Sequence, residues 1–288
     1  GIISASTTTR DPSLLQRGVG FAEEVLERDS GNPEALALRG TIRVDRFRAG
    51  DAEGDLELLA REAEADLREA VGTDPGQAYG WVALAELLRL RGEFSEASIA
   101  AEHALRADPF LINAEKEIIF TLSQVWLDLG DLEKATLWTD EGRHRYPAEP
   151  AFPAAKLVIL AGQGGSGAVV DSAWSLMNQV TEGFRLPSAW RLGRLQVAAV
   201  LALAGLPDSA VAVVEHVRRD GALSAYIQYY EANVRVRLGQ EEQALDLLEG
   251  YLEAMPHRRA YISRDWWWEP LRGSPRFREM VSAEEGEL

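Results

Sequence analysis

The sequence predicts an all-α fold: a right-handed solenoid of stacked helical hairpins closed by a C-terminal capping segment. Three observations carry the prediction. Apolar residues recur at helical spacing, as where Trp81, Leu84, Ala85 and Leu88 stand at i, i+3, i+4 and i+7. Helix-breaking glycines recur at Gly50, Gly92, Gly130, Gly205 and Gly239, and five residues after four of them comes a small alanine: Ala97, Ala135, Ala210 and Ala244. Prolines that end a helix recur at Pro33, Pro75, Pro109, Pro147 and Pro256, at intervals of 42, 34 and 38 residues up to Pro147. A glycine in the left-handed conformation commonly follows a helix C-terminus, and a residue before proline is pushed out of the helical region.

Taken in order, residues 1–11 read as a disordered or linker segment. A half-unit follows, starting at Asp11-Pro12, an N-cap with proline at the first helical position, and running through Leu14, Leu15, Ala22, Val25 and Leu26. The clearest full unit is Tyr79 to Pro109. Its first helix carries Trp81, Leu84, Ala85 and Leu88 and breaks at Gly92. Its second helix places Ala97, Ala101 and Ala104 where two helices must approach closely, and Asp108-Pro109 ends it. The 75 residues from Gly130 to Gly205 hold two units, and the 34 from Gly205 to Gly239 hold one more. Residues 12–256 are therefore expected to form a half-unit plus about six hairpins, and residues 257–288 a cap and tail.

Trp81-x2-Leu84-Ala85-x2-Leu88, Ala97-x3-Ala101 and Pro109 resemble the tetratricopeptide repeat, W-x2-L-G-x2-Y, A-x3-F and P. The departures are Ala85 for Gly, Leu88 for Tyr and Ala101 for Phe. The tail from Asp265-Trp266-Trp267-Trp268-Glu269-Pro270-Leu271 to Arg276-Phe277 resembles the ending of many bacterial arrays of this kind, a "pLrgdPRF" phrase leading into a short capping helix. The resemblance covers about residues 12 to 280. A looser likeness, resting on the opening Thr9-Arg10-Asp11-Pro12, Leu26-Glu27-Arg28-Asp29 and Asn32 to Thr41 together with the tail phrase, is to arrays in bacterial signalling proteins such as serine/threonine kinases. The family resemblance implies a non-enzymatic protein–protein interaction scaffold that binds a protein or peptide in a concave groove lined by the first helix of each pair. The looser one implies a sensor or regulatory segment of a larger signalling protein.

Composition narrows the partners. The chain has 30 Lys and Arg against 46 Asp and Glu, a formal charge of -16. That disfavours nucleic acid and anionic membrane surfaces, which call for cationic protein surface. There is no cysteine, which excludes a disulfide scaffold, thiolate metal sites and a thiol nucleophile. The longest apolar run, Val197 to Ala204, is far short of the ~20 residues of a membrane span. The start at Gly1-Ile2-Ile3 reads as an excised part of something longer. The compartment stays open, the cytoplasm slightly favoured over an extracytoplasmic sensor.

Motifs that suggest chemistry have plainer readings. Gly162-Gln163-Gly164-Gly165-Ser166-Gly167 fits the dinucleotide phrase G-x-G-x-x-G after Leu157-Val158-Ile159-Leu160, but that site needs a strand before the glycines and a helix at Gly167. Its remote consequence is a nucleotide-binding enzyme, and the expected reading is a long, flexible inter-helix turn. Trp266–Trp268 offer either a ligand platform or, as expected, two side chains that fill the open end of the last helix pair. His103, His144, His216 and His257 lack metal-site spacing, so no metal is expected, and no cofactor. Glu23-Glu24, Glu62/Glu64/Asp66 and Glu241-Glu242 read as solvated ion-pair faces rather than catalytic dyads. No nucleophile elbow, P-loop or kinase phrase occurs, so no catalytic residue is expected.

Groove positions follow by counting back from each turn glycine. From Gly92 they are Tyr79, Val82, Glu86 and Arg89; from Gly130, Glu117, Phe120, Gln124 and Leu127. From Gly162 they are Glu149, Phe152, Lys156 and Ile159; from Gly205, Leu192, Leu195, Ala199 and Ala202. In the last hairpin the apolar stripe Leu223, Ile227, Tyr230, Val234 and Leu238 is one residue out of step with Gly239, which leaves open whether Tyr226, Tyr229 and Asn233 line the groove. These residues would make an aromatic and aliphatic floor suited to an amphipathic helix or an extended peptide. The alternative is that the array's own termini cover them. Chaperone C-terminal tails are disfavoured, because Val82, Glu86, Phe120 and Gln124 occupy the positions of that subfamily's lysine and asparagine clamp, and the chain has only Lys116, Lys134 and Lys156.

Overall fold

A computed structural model describes residues 12–50, 55–110, 114–165 and 167–282. The expected linker, residues 1–11, lies outside these, as do Asp11 of the expected first cap, Ser166 and residues 283–288. All regular structure among the described residues is helical. The chain divides into two compact units, one within residues 8–129 and the other within residues 130–288.

The first unit holds α1 (Pro12–Arg28), α2 (Pro33–Ala49), α3 (Leu56–Thr73), α4 (Ala78–Leu90), α5 (Phe94–Ala107) and α6 (Glu115–Asp128). Helix α2 pairs with α3 and α4 with α5, while α2, α4 and α6 pack side by side in a row. The second unit holds α7 (Leu132–Arg145), α8 (Ala151–Gln163), α9 (Gly167–Phe184), α10 (Pro187–Leu203), α11 (Pro207–Arg219), α12 (Ala225–Arg237) and α13 (Glu241–Ala254). Here α8 pairs with α9, α10 with α11 and α12 with α13, and α8, α10 and α12 form the row. The tail adds a 3-10 turn at Pro256–Arg258, α14 (Arg259–Arg264), a second 3-10 segment at Trp266–Leu271, and α15 (Pro275–Ser282).

The local chemistry of the boundaries explains this order. Asn32, Asp55 and Asp131 cap α2, α3 and α7 by accepting backbone N–H bonds with their side chains, which satisfies donors that a helix start leaves unpaired. The turn glycines 50, 92, 130, 205 and 239 all have φ between +69° and +76°. At three of them the closure is the same. Glu93 N–H donates to Leu88 and Gly92 to Arg89; Leu206 donates to Leu201 and Gly205 to Ala202; Gln240 donates to Arg235 and Gly239 to Val236. This paired pattern needs a left-handed residue at one fixed place, which only glycine enters without strain. Ala97, Ala135, Ala210 and Ala244 are wholly buried, as close helix approach requires.

One turn is displaced from its expected place. Helix α8 runs through Gly162 to Gln163 and turns at Gly164 and Gly165, with φ of +68° and +153°. The link to α9 is therefore short rather than long. Leu157–Leu160 lie inside α8, so the strand that the dinucleotide motif requires is not there.

Candidate functional site

On the first unit, the expected inner face of α4 and α6 is partly open. Tyr79 is 51% exposed, and Val82, Glu117 and Phe120 are half-buried. Beside them runs a chain of charges across the helix row. Arg48 of α2 donates to Glu86 (3.2 Å), Arg89 donates to Glu86 (2.8 and 3.1 Å), and Arg89 Nη1 donates to Asp128 of α6 (2.8 Å). Burial works against the Glu86 carboxylate, but Arg89 and Arg48 overcome it and hold its pKa at about 2. The two arginines are thus committed to carboxylates of the fold. Gln124 is buried on α6, and among the described residues its Nε2 has no acceptor. Leu127 is buried as well.

The corresponding positions of the second unit are closed, which corrects several expected groove residues. Phe152 is wholly buried. Its ring stacks on Tyr146 with 6.1 Å between centroids and fills the space beside Gly142, where an added Cβ would lie 2.1 Å from the ring. The expected register for α8 was anchored on Gly162, two residues before the actual turn, an error of about 200° around the helix. At the corrected offsets stand Ala151, Ala154, Val158 and Ala161, all buried. Ile159 is wholly buried too, and Lys156 is tied to Asp140 of α7 at 2.8 Å. On α10 the register is right, yet Leu192, Leu195 and Ala199 are buried, because α8, α9, α11 and α12 all pack against this helix. Asn233 is buried on α12 together with Ile227, Tyr230 and Val234. Half-buried Tyr226 has its ring 6.4 Å from that of Tyr251.

Tyr229 is covered by the chain's own tail. Its hydroxyl donates to Asp265 Oδ2 at 2.9 Å, and its ring meets Trp268 edge-on at 5.3 Å. Burial, then the nearby Asp265 charge, push its pKa well above the usual tyrosine range, so it stays a donor. Asp265 also caps the second 3-10 segment through Trp267 N. Arg237 lies over the Trp267 ring at 4.4 Å and donates to the carbonyl of Ala161 in α8 at 3.1 Å. Burial lowers its pKa to about 10. Trp266 stacks on Trp267 and reaches the turn before α7 and the C-terminal end of α8, its ring 3.4 Å from a Cβ built on Gly130 and 2.6 Å from one built on Gly162. Trp267 and Trp268 are buried, so the three indoles are not an open ligand platform. They lie on the Tyr229–Arg237 face of α12 and run back toward α8, rather than filling the end of the last pair. Sealing α13 falls instead to α15, through buried Phe277 and ion pairs from Arg276 to Glu242, Asp246 and Glu249.

No protein-family model and no curated protein matches the chain. Solved structures do. A tetratricopeptide repeat protein from Parabacteroides merdae superposes with a TM-score of 0.58 at 14% identity, covering 91% of this chain and 97% of that one. The APC/C hetero-tetramer Cut9–Hcn1 superposes with a TM-score of 0.58 at 13% identity, covering 87% of this chain and 45% of that one. This chain thus spans less than half the length of the second neighbour. The chain has the tetratricopeptide-repeat fold.

In tetratricopeptide-repeat terms, Trp81 keeps the expected place between the two helices of its hairpin. It stacks on His103 at 4.4 Å and donates to the carbonyl of Pro75. Two features escaped the sequence reading. One is the path of the tail, signalled only by the Trp266–Trp268 run. The other is Glu231, wholly buried on α12 and held by Arg218 at 2.7 Å and Arg235 at 2.9 Å. Its signal was a glutamate inside an otherwise apolar stripe.

Proposed function

We propose that the chain is a non-enzymatic protein-interaction module that docks an extended partner segment on the α4/α6 face of the first unit. The observation that carries this reading is the pairing of a partly exposed apolar floor, Tyr79, Val82 and Phe120, with the buried Gln124 amide, whose Nε2 has no acceptor among the described residues. A buried donor left unpaired is costly, and a turn of the Gln124 side chain toward the floor would offer its amide to a backbone carbonyl of a bound peptide. Glu117 borders the floor, and Arg89 and Glu86 order it through their mutual ion pair instead of binding a ligand charge. The excess of acidic residues favours a partner segment with apolar anchors and basic flanks. Assembly with other chains is also what the name of the Cut9–Hcn1 hetero-tetramer describes for that structural neighbour.

Site-directed photo-crosslinking tests the reading. A benzoyl-phenylalanine placed at Tyr79 or Phe120 should capture the bound partner, and one placed at tail-covered Tyr229 should not. The paired substitution Val82→Ala and Phe120→Ala should weaken binding by about 2 kcal/mol or more, as truncated interface anchors do. Capture from Leu137, exposed on α7, with none from Tyr79 or Phe120 would overturn it.

A further inference from the structure

Arg194, on α10, is an arginine without a counter-charge among the described residues. Its guanidinium carbon lies 4.4 Å from the ring centre of Trp190, one turn earlier on the same helix, and 5.5 Å from that of Trp174 on α9. His216 of α11 meets Trp190 at 5.5 Å with the planes 61° apart. All four side chains are half-buried. Among the described residues Arg194 has no hydrogen-bond or ion-pair partner, and its Nε is shut off from solvent with no acceptor. Neighbouring arginines are treated differently. Arg191, one turn earlier, donates to the carbonyls of Val217, Gly221 and Ala222, and Arg235 is committed to Glu231.

Indole faces attract the face of a guanidinium, but they leave its N–H edge unmet. A half-buried, unpaired arginine in a chain of net charge -16 is therefore an incomplete arrangement. An anion would complete it, approaching the two Nη groups end-on between the indoles. One guanidinium supplies one positive charge, and the His216–Asp220 contact of 3.9 Å keeps an aspartate nearby. A dianionic phosphate would leave excess negative charge there, whereas a carboxylate is neutralised one for one and matches the paired N–H geometry of arginine. The flanking Trp174 and Trp190 favour a carboxylate carried on an apolar group.

We propose that Arg194, flanked by Trp174 and Trp190, is a receptor for a single carboxylate on an apolar or aromatic peptide segment. The site lies in the second unit and does not depend on the α4/α6 reading. The carboxylate has two sources, an acidic side chain or a chain terminus.

Proton–nitrogen NMR of the full chain tests this on the indole N–H signals of Trp174 and Trp190, assigned by Trp174→Phe and Trp190→Phe. Acetate should shift both signals saturably, with chloride and phosphate at matched ionic strength as controls. N-acetyl-leucine offers a terminal carboxylate and N-acetyl-aspartate amide a side-chain one; tighter binding of either supports the site and names its source. Arg194→Gln should abolish the shifts, and Arg194→Lys should weaken binding several-fold, because an ammonium cannot present paired N–H groups. Circular dichroism of both variants establishes that they are folded. Absence of a saturable shift, or a shift that survives in folded Arg194→Gln, overturns the site. Phosphate binding as tightly as acetate overturns the assignment to carboxylate.

Discussion

At the residue scale, glycine does two unlike things in this chain, and paired substitutions separate them. Gly142 accommodates the Phe152 ring, so Gly142→Ala should destabilise by about 1–3 kcal/mol through overpacking. Gly72 on α3 has open space where a Cβ would be, so Gly72→Ala should stabilise by about 0.5–1 kcal/mol through backbone entropy alone. Chemical denaturation of both variants checks the opposite signs. Glu86 gives a pH signature. Its pKa falls from 4.5 to about 2 on folding, so its stabilising effect is present above pH 4.5 and is lost as pH falls toward 2. Denaturation midpoints should drop across that window, and Glu86→Gln should flatten the drop while lowering stability at neutral pH. The turn glycines were legible because a left-handed turn is a local requirement. The burial of Phe152 was not, because the space beside Gly142 has meaning only once α7 and α8 are packed together.

At the element scale, periodicity, glycine and proline delimited the helices, and the alanines marked where they touch. What failed was rotation. The α8 face was counted from Gly162, the first glycine of the cluster, and the chain turns two residues later. The tail's destination was equally hidden, since three consecutive tryptophans state a need for burial without naming the surface that meets it. That surface is α12, the turn before α7 and the C-terminal end of α8. Trp268→Ala should cost about 3–5 kcal/mol, the usual loss for a truncated buried aromatic residue. Gly162→Ala should displace Trp266 and leave Trp268 in place. Hydrogen exchange separates the two variants: the first should expose amides along α12, and the second only the Trp266–Trp267 end of the tail.

At the scale of the whole molecule, the all-helical repeat fold and the net charge were readable from the sequence, whereas the location of open surface was not. Exposure depends on which helices are flanked on every side, as α10 is, and on where the tail settles. The net charge of -16 yields a kinetic expectation. Association with a basic-flanked partner should slow as ionic strength rises, with dissociation changing less, and stopped-flow mixing at several salt concentrations measures both. The tail also changes how the second unit is made and lost. A stack held together only by neighbouring repeats can grow one hairpin at a time and fray from either end. Here Trp266 meets Gly162, near the C-terminal end of α8, across about 100 residues of chain, a contact that becomes possible only after the last hairpin has left the ribosome. The second unit should therefore mature late and abruptly, and a chain cut after Ala254 should be degraded as an unfinished product.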